Sequence, residues 1–163
     1  MREEFAQRKI RLDPEEVEKQ RISRYLKWIR RHGVPVFPGV YQVMGKLGSK
    51  GILQAVCTSS AYGDAHQSLE LSGILPKLDA VVYGTEVEHP KPAPDIFLTA
   101  AKKLRVEPGN CLVVEDSLSG AQAAIRAGMR LCRKIGNNDA RDGNSVSSLY
   151  EILQLFEEAE YGS

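Results

Sequence analysis

The sequence predicts an α/β fold, a doubly wound, Rossmann-like parallel sheet, and three observations predict it. Short apolar runs alternate along the chain with amphipathic stretches of about ten residues, the pattern of strands joined by crossover helices. Runs such as Leu112-Val113-Val114 are continuously apolar, as strands covered on both faces are. Polar, chemistry-bearing residues follow directly on two of these runs, at the carboxyl ends where open parallel sheets collect their sites.

Taken in order, the first element is a helix. Asp13-Pro14-Glu15-Glu16 supplies an N-cap, a proline at the first helical position and acids at the positive end of the dipole. Ile22, Tyr25, Leu26 and Ile29 then form one apolar stripe, and Gly33 ends the helix. Pro38-Gly39 opens a second helix with Val40, Val43, Met44 and Leu47 on its apolar face, closed by Gly51. Ile52 to Cys57 reads as a strand ending in Thr58-Ser59-Ser60, followed by a helix over 63–72 and a strand from Leu78 to Tyr83. Pro94-Asp95 starts a helix carrying Ile96, Phe97, Ala100, Ala101 and Leu104. Cys111 to Val114 is a strand ending in Glu115-Asp116. Ser119-Gly120 opens the next helix, which Gly128 stops. Leu131 to Ile135 is a further strand, 136–145 a polar loop, and 147–159 a final acidic helix.

Composition narrows the function classes. The chain has 163 residues, enough for one domain with a real core. Its 22 basic and 21 acidic residues leave a net charge of +1, against a dedicated nucleic-acid binder. No apolar run is long enough to cross a bilayer, and the start has no apolar signal core and too many acids for a transit peptide. The expectation is a cytoplasmic protein. The first 31 residues hold ten Lys and Arg against six acids, mostly off the apolar stripe, and read as a solvated face. Cys57, Cys111 and Cys132 are odd in number and widely spaced, so they read as buried free thiols. His32, His66 and His89 are scattered too, so no zinc site of clustered Cys and His is expected.

Three features carry chemistry. Glu115 and Asp116 place two carboxylates at one strand end, where they repel unless a cation intervenes, and oxygen donors suit Mg²⁺. An ordinary turn with Asp116 capping the next helix is the competing reading. Thr58, Ser59 and Ser60 offer hydroxyls and backbone N–H groups before a helix, a cradle for phosphate oxygens or simply a cap. Lys91, in Pro90-Lys91-Pro92-Ala93-Pro94, is a point charge on a stiffened loop.

Through PGV, AVCTSS, HPKPAPDIF and VVEDSLSGAQAAIRAGM, the stretch from about Phe37 to Gly136 resembles the haloacid dehalogenase-like phosphatases, especially the β-phosphoglucomutase and sugar-phosphatase branch. The resemblance implies that Thr58 bonds the transferred phosphoryl group and that Ser59 adds backbone contact. It also implies that Lys91 neutralises phosphate and that Glu115 and Asp116 hold Mg²⁺. Residues 1–36 would be the remnant of a helical cap and 37–163 the α/β core.

One motif is absent. The family's nucleophilic aspartate stands in a DxD motif on an apolar strand, and this sequence contains no DxD. The nearest candidate, Ile10-Arg11-Leu12-Asp13-Pro14-Glu15, reads as a helix cap. In the family that strand lies between those ending at Thr58 and Asp116, so its absence leaves two apolar edges unpaired. The expected function is a Mg²⁺-dependent phosphatase of a small phosphorylated metabolite, a sugar or nucleotide-derived phosphate, lacking the nucleophilic aspartate in this chain and inactive alone. The alternatives are a non-catalytic binding or structural subunit, and a β-phosphoglucomutase-like phosphomutase, which Ala61 and Tyr62 disfavour because mutases place polar or basic groups there. A partner chain or a missing N-terminal segment would complete the sheet.

Overall fold

The computed structural model describes residues 13–129, 131–135, 145–146 and 148–161. The N-terminal basic residues up to Arg11, the loop expected from 136 and the Cys132 side chain lie outside what is described. The elements in chain order are α1 (Pro14–His32), α2 (Val40–Ser49), β1 (Ala55–Thr58), α3 (Tyr62–Leu71), β2 (Ala80–Tyr83), α4 (Asp95–Leu104), β3 (Leu112–Glu115), α5 (Leu118–Arg126), β4 (Leu131–Ile135), β5 (Ser145–Val146) and α6 (Tyr150–Tyr161).

The local signals act as the residues dictate. Asp13 caps α1, its carboxylate accepting the Glu15 N–H at 3.0 Å, with Pro14 in the first turn. Of the stripe on α1, Ile29 is buried, Ile22 and Leu26 are half-buried, and Tyr25 is exposed. The strands are shorter than the apolar runs. Ile52 to Gln54 only lead into β1, because pairing starts where Ala55 meets Ala80. Ser117, not Ser119, caps α5, its hydroxyl accepting the Gly120 N–H at 3.0 Å. Asp116 is therefore not the cap. Two-residue β5 ends the stretch expected as loop, paired to β4 at Lys134–Ser145 and Ile135–Val146.

Every described pairing is parallel, and the sheet is in two pieces. β1 pairs with β2 from Ala55–Ala80 to Thr58–Tyr83, and β3 pairs with β4 from Leu112–Leu131 to Glu115–Lys134. Among the described residues no strand joins β1 to β3. The core is continuous across that division: Val82, Ile96, Phe97, Ala100 and Ala101 cluster with Val113, Ala123, Ala124, Ala127 and Met129. α4 therefore holds the two pieces together, packing on β1 and β2 and touching α5.

A cavity of about 640 Å³ is lined by Ala55, Val56 and Cys57 of β1 and by Leu112, Val113 and Val114 of β3. Four residues of strand, at about 3.3 Å each, about 4.8 Å wide and about 10 Å between layers, occupy about 600 Å³. The cavity thus has the volume of one short strand. α1 packs instead against α3, with the Tyr25 and Ser68 hydroxyls 3.3 Å apart and Arg30 donating to Gln67 at 2.8 Å.

Candidate active site

Of the residues singled out by the sequence, Thr58, Ser59 and Ser60 lie at the carboxyl end of β1 and Glu115 and Asp116 at that of β3. Thr58 is the last residue of β1 and is half-buried, while Ser59 and Ser60 are exposed in the turn after it. The Ser60 N–H donates to Thr58 Oγ1 at 3.1 Å, which leaves the threonine hydroxyl proton free to face an anion. A second cavity, about 350 Å³, opens onto this turn and is lined by Arg21 and Tyr25 of α1 together with Thr58, Ser60, Asp64 and Ser68.

Lys91 joins the two sheet pieces. Its ammonium donates to the Cys57 carbonyl at 3.3 Å and to Glu115 Oε1, and it sits 5.0 Å from the centre of the Phe97 ring. The Gln54 carbonyl accepts from the Asp79 and Ala80 N–H groups at 2.8 and 3.4 Å and so faces β2. Carbonyls alternate in direction along a strand, so that of Cys57 faces the opposite edge, towards β3. The loop that presents Lys91 is anchored at both ends. Asp95 accepts from the His89 N–H at 3.3 Å and lies 3.0 Å from His89 Nδ1, while Arg126 donates to the Pro92 carbonyl at 2.9 Å.

Glu115, the last residue of β3, has an 11% exposed side chain facing a 7% exposed Lys91. Its second oxygen accepts from the Ser117 N–H at 3.0 Å and the Ser117 hydroxyl at 2.8 Å. Burial pushes its carboxyl up, but the bonds from Lys91 and Ser117 outweigh burial and hold it below the usual carboxylate range. Asp116 is exposed. The Cys57 thiol beneath is pushed up to about 11 by burial, against the pull of Lys91. Cys57 and Cys111 are free but only half-buried, less enclosed than the sequence suggests.

Among the described residues no group of three or more His, Cys, Asp or Glu could hold a metal. Glu115 and Asp116 offer two carboxylates at one strand end, the first already turned to Lys91. That donor set fits Mg²⁺, which takes one or two carboxylates and keeps water or phosphate oxygens for its other positions. It does not fit the closed nitrogen and sulfur shell of structural zinc.

A family model of the haloacid dehalogenase-like hydrolases matches residues 1–134. The chain belongs to that family. It is 38% identical over 120 residues to the chloroplastic Protein SUPPRESSOR OF QUENCHING 1 of Arabidopsis thaliana, covering 72% of this chain. It is 36% identical over 92 residues to the Phosphorylated carbohydrates phosphatase of Thermotoga maritima, covering 56% of this chain. The chain spans only 11% and 43% of those two relatives' lengths. Its fold is similar to that of a β-phosphoglucomutase from Clostridium difficile, with a TM-score of 0.77 at 25% identity, over 98% of this chain and 73% of the other. Family membership accounts for the α/β architecture and the parallel pairing described above. Among the described residues no helix is long and apolar enough to cross a membrane.

Sequence reasoning did not find Ser117, Arg126, Phe97, Gly84 or Gly120 as parts of this arrangement. Gly84, just after β2, comes so close to the turn after β1 that a Cβ there would lie 2.5 Å from the Ser59 carbonyl oxygen. Ser117 alone carried a usable signal, as a serine directly before a helical stretch.

Proposed function

We propose that this chain carries the phosphate-binding and acidic parts of a phosphatase acting on a small phosphorylated metabolite, a sugar or nucleotide-derived phosphate. The observation that carries the reading is the position of Lys91, buried between the carboxyl ends of β1 and β3 and bonded to both. Phosphoryl transfer needs little beyond positioning and neutralisation of negative charge, and a buried ammonium beside a hydroxyl-rich turn supplies both. In this reading Thr58 donates its hydroxyl to a phosphate oxygen, and Ser59 and Ser60 present backbone and hydroxyl groups around it. Lys91 turns part of its charge from Glu115 to the bound phosphate. The organic part of the substrate occupies the cavity between α1 and α3, where Tyr25, Asp64 and Ser68 match the hydroxyls of a polyol. Glu115 and Asp116 would hold Mg²⁺, which when bound supplies further positive charge against the phosphate oxygens.

No DxD motif occurs in the sequence, so the 163 residues bind phosphate but do not turn over phosphomonoesters. Isothermal titration with inorganic phosphate should detect binding that Lys91→Ala and Thr58→Ala each abolish, while p-nitrophenyl phosphate is not hydrolysed. Turnover lost on Asp116→Ala would overturn the inactive assignment, and phosphate binding indifferent to Lys91 would overturn the site.

The two-piece sheet favours a second reading, a non-catalytic subunit whose partner covers the strand-sized cavity. Under that reading a partner lowers the reactivity of Cys57, which lines the cavity, without conferring phosphatase activity.

A further inference from the structure

Gly120 is the third residue of α5, is buried, and has an ordinary helical backbone rather than a positive φ. Nothing in its conformation calls for glycine, and within a helix glycine is disfavoured relative to alanine. The reason is space. A Cβ built at Gly120 would stand 2.0 Å from the Glu115 carboxyl carbon and 2.2 and 2.3 Å from its two oxygens. The carboxylate therefore occupies the volume that any other side chain at position 120 would fill.

Glu115 is held there from two sides. Lys91 binds Oε1, while the Ser117 N–H and hydroxyl bind Oε2. The Ser117 hydroxyl also accepts the Gly120 N–H, so the first turn of α5 and the carboxylate share one capping group. The helix cannot retreat to make room, because Gly120 is buried and Ala123 and Ala124 belong to the packed core. A glutamate side chain can swing, and it is the part that must yield.

We propose that Gly120 is a positioning residue, whose missing side chain lets the Glu115 carboxylate lie under the first turn of α5 and reach Lys91. A single methyl group at position 120 evicts the carboxylate and frees the lysine. The importance of this for catalysis rests on the phosphatase reading above; the positioning does not, and its test uses no ligand, metal or turnover.

The experiment compares Gly120→Ala in two backgrounds, the native chain and Glu115→Ala. An amine buried against a carboxylate is screened from acylating reagents, so Lys91 acetylation by acetic anhydride, read by mass spectrometry, reports the pair. Gly120→Ala in the native background should speed Lys91 acetylation at least severalfold and lower the thermal midpoint. In the Glu115→Ala background it should leave Lys91 acetylation unchanged and raise the midpoint by about 3 °C, because alanine is the better helix former. The sign reversal is the signature, since a packing defect at position 120 lowers the midpoint in both backgrounds. Unchanged Lys91 acetylation in Gly120→Ala, or equal destabilisation in both backgrounds, overturns the proposal. If Gly120→Ala does not fold, Glu115→Ala/Gly120→Ala must fold, and its failure overturns the proposal too.

Discussion

The ammonium of Lys91 ties Glu115 on β3 to the Cys57 carbonyl on β1, so one side chain links two sheet pieces that share no hydrogen-bonded strand pair among the described residues. With side chains 7% and 11% exposed, this pair is far from the solvent-screened kind worth almost nothing. Removing one partner strands the other charge in a low-dielectric site, at a cost of about 3 kcal/mol. Lys91→Met and Glu115→Leu should each lower the urea-unfolding free energy by that amount. Lys91→Met/Glu115→Leu should regain most of it, because two apolar groups leave no buried charge behind. Additive losses would show that the two residues do not act on each other.

Cys57 is next to that link and titrates late. Its thiol is pushed up to about 11 by burial, so at pH 8 its thiolate population is lower than that of an exposed cysteine by about a hundredfold. Iodoacetamide labelling of the Cys57 peptide should be slower by that factor in the folded chain than in urea. The sign of the linkage follows. A folded value above the unfolded one means a contribution to stability fully present below about pH 8.5 and lost as pH rises through about 11. Cys57→Ala should flatten the fall in thermal midpoint across that alkaline window. Native labelling as fast as unfolded labelling would place the thiol in solvent.

Much of this was legible because it is local. The Asp13 cap, the proline-led starts of α1 and α4 and the apolar runs of β1 to β3 are written in neighbouring residues. Strand ends were not, because they depend on where a partner begins: Ile52 and Leu53 are as apolar as β1 but have no described partner in β2. The clamps on the site were also invisible. Arg126 reaches the Pro92 carbonyl across 34 positions, and the close approaches of Gly84 to Ser59 and of Gly120 to Glu115 exist only once strands and helices are packed. Glu115 and Thr58 could be picked out as polar residues at strand ends and Lys91 as a charge on a proline-stiffened loop, but the bond from Lys91 to the Cys57 carbonyl is a property of the sheet division.

Gly84 makes a prediction of its own. A Cβ there would stand 2.5 Å from the Ser59 carbonyl oxygen and 2.9 Å from its carbon. Both are backbone atoms, so accommodation requires moving the turn itself. Gly84→Ala should cost about 1–3 kcal/mol of stability, the range for overpacking. It should also weaken phosphate binding at Thr58–Ser60 by about tenfold, since misplaced donors lose their alignment. Titration with inorganic phosphate and urea unfolding measure the two effects. A stable Gly84→Ala that binds phosphate as the native chain does would show that the turn has room to give.

Asp13 separates structural from catalytic acids. It is the aspartate nearest the start of the chain, and so the residue on which a nucleophile would be sought. Yet its carboxylate accepts the Glu15 N–H at 3.0 Å and begins α1. An N-cap oxygen satisfies a helix N–H that otherwise has only water, and asparagine does this as well as aspartate while alanine does not. Asp13→Ala should therefore lower the thermal midpoint by about 3 °C, and Asp13→Asn should leave it nearly unchanged. Neither should alter phosphate binding, whose proposed groups, Thr58 to Ser60 and Lys91, are not in α1. A nucleophilic carboxylate behaves in the opposite way, because the amide keeps the cap but removes the charge facing the phosphate site. Loss of the Lys91-dependent phosphate signal in Asp13→Asn, with the midpoint intact, would move Asp13 from the helix cap into the site.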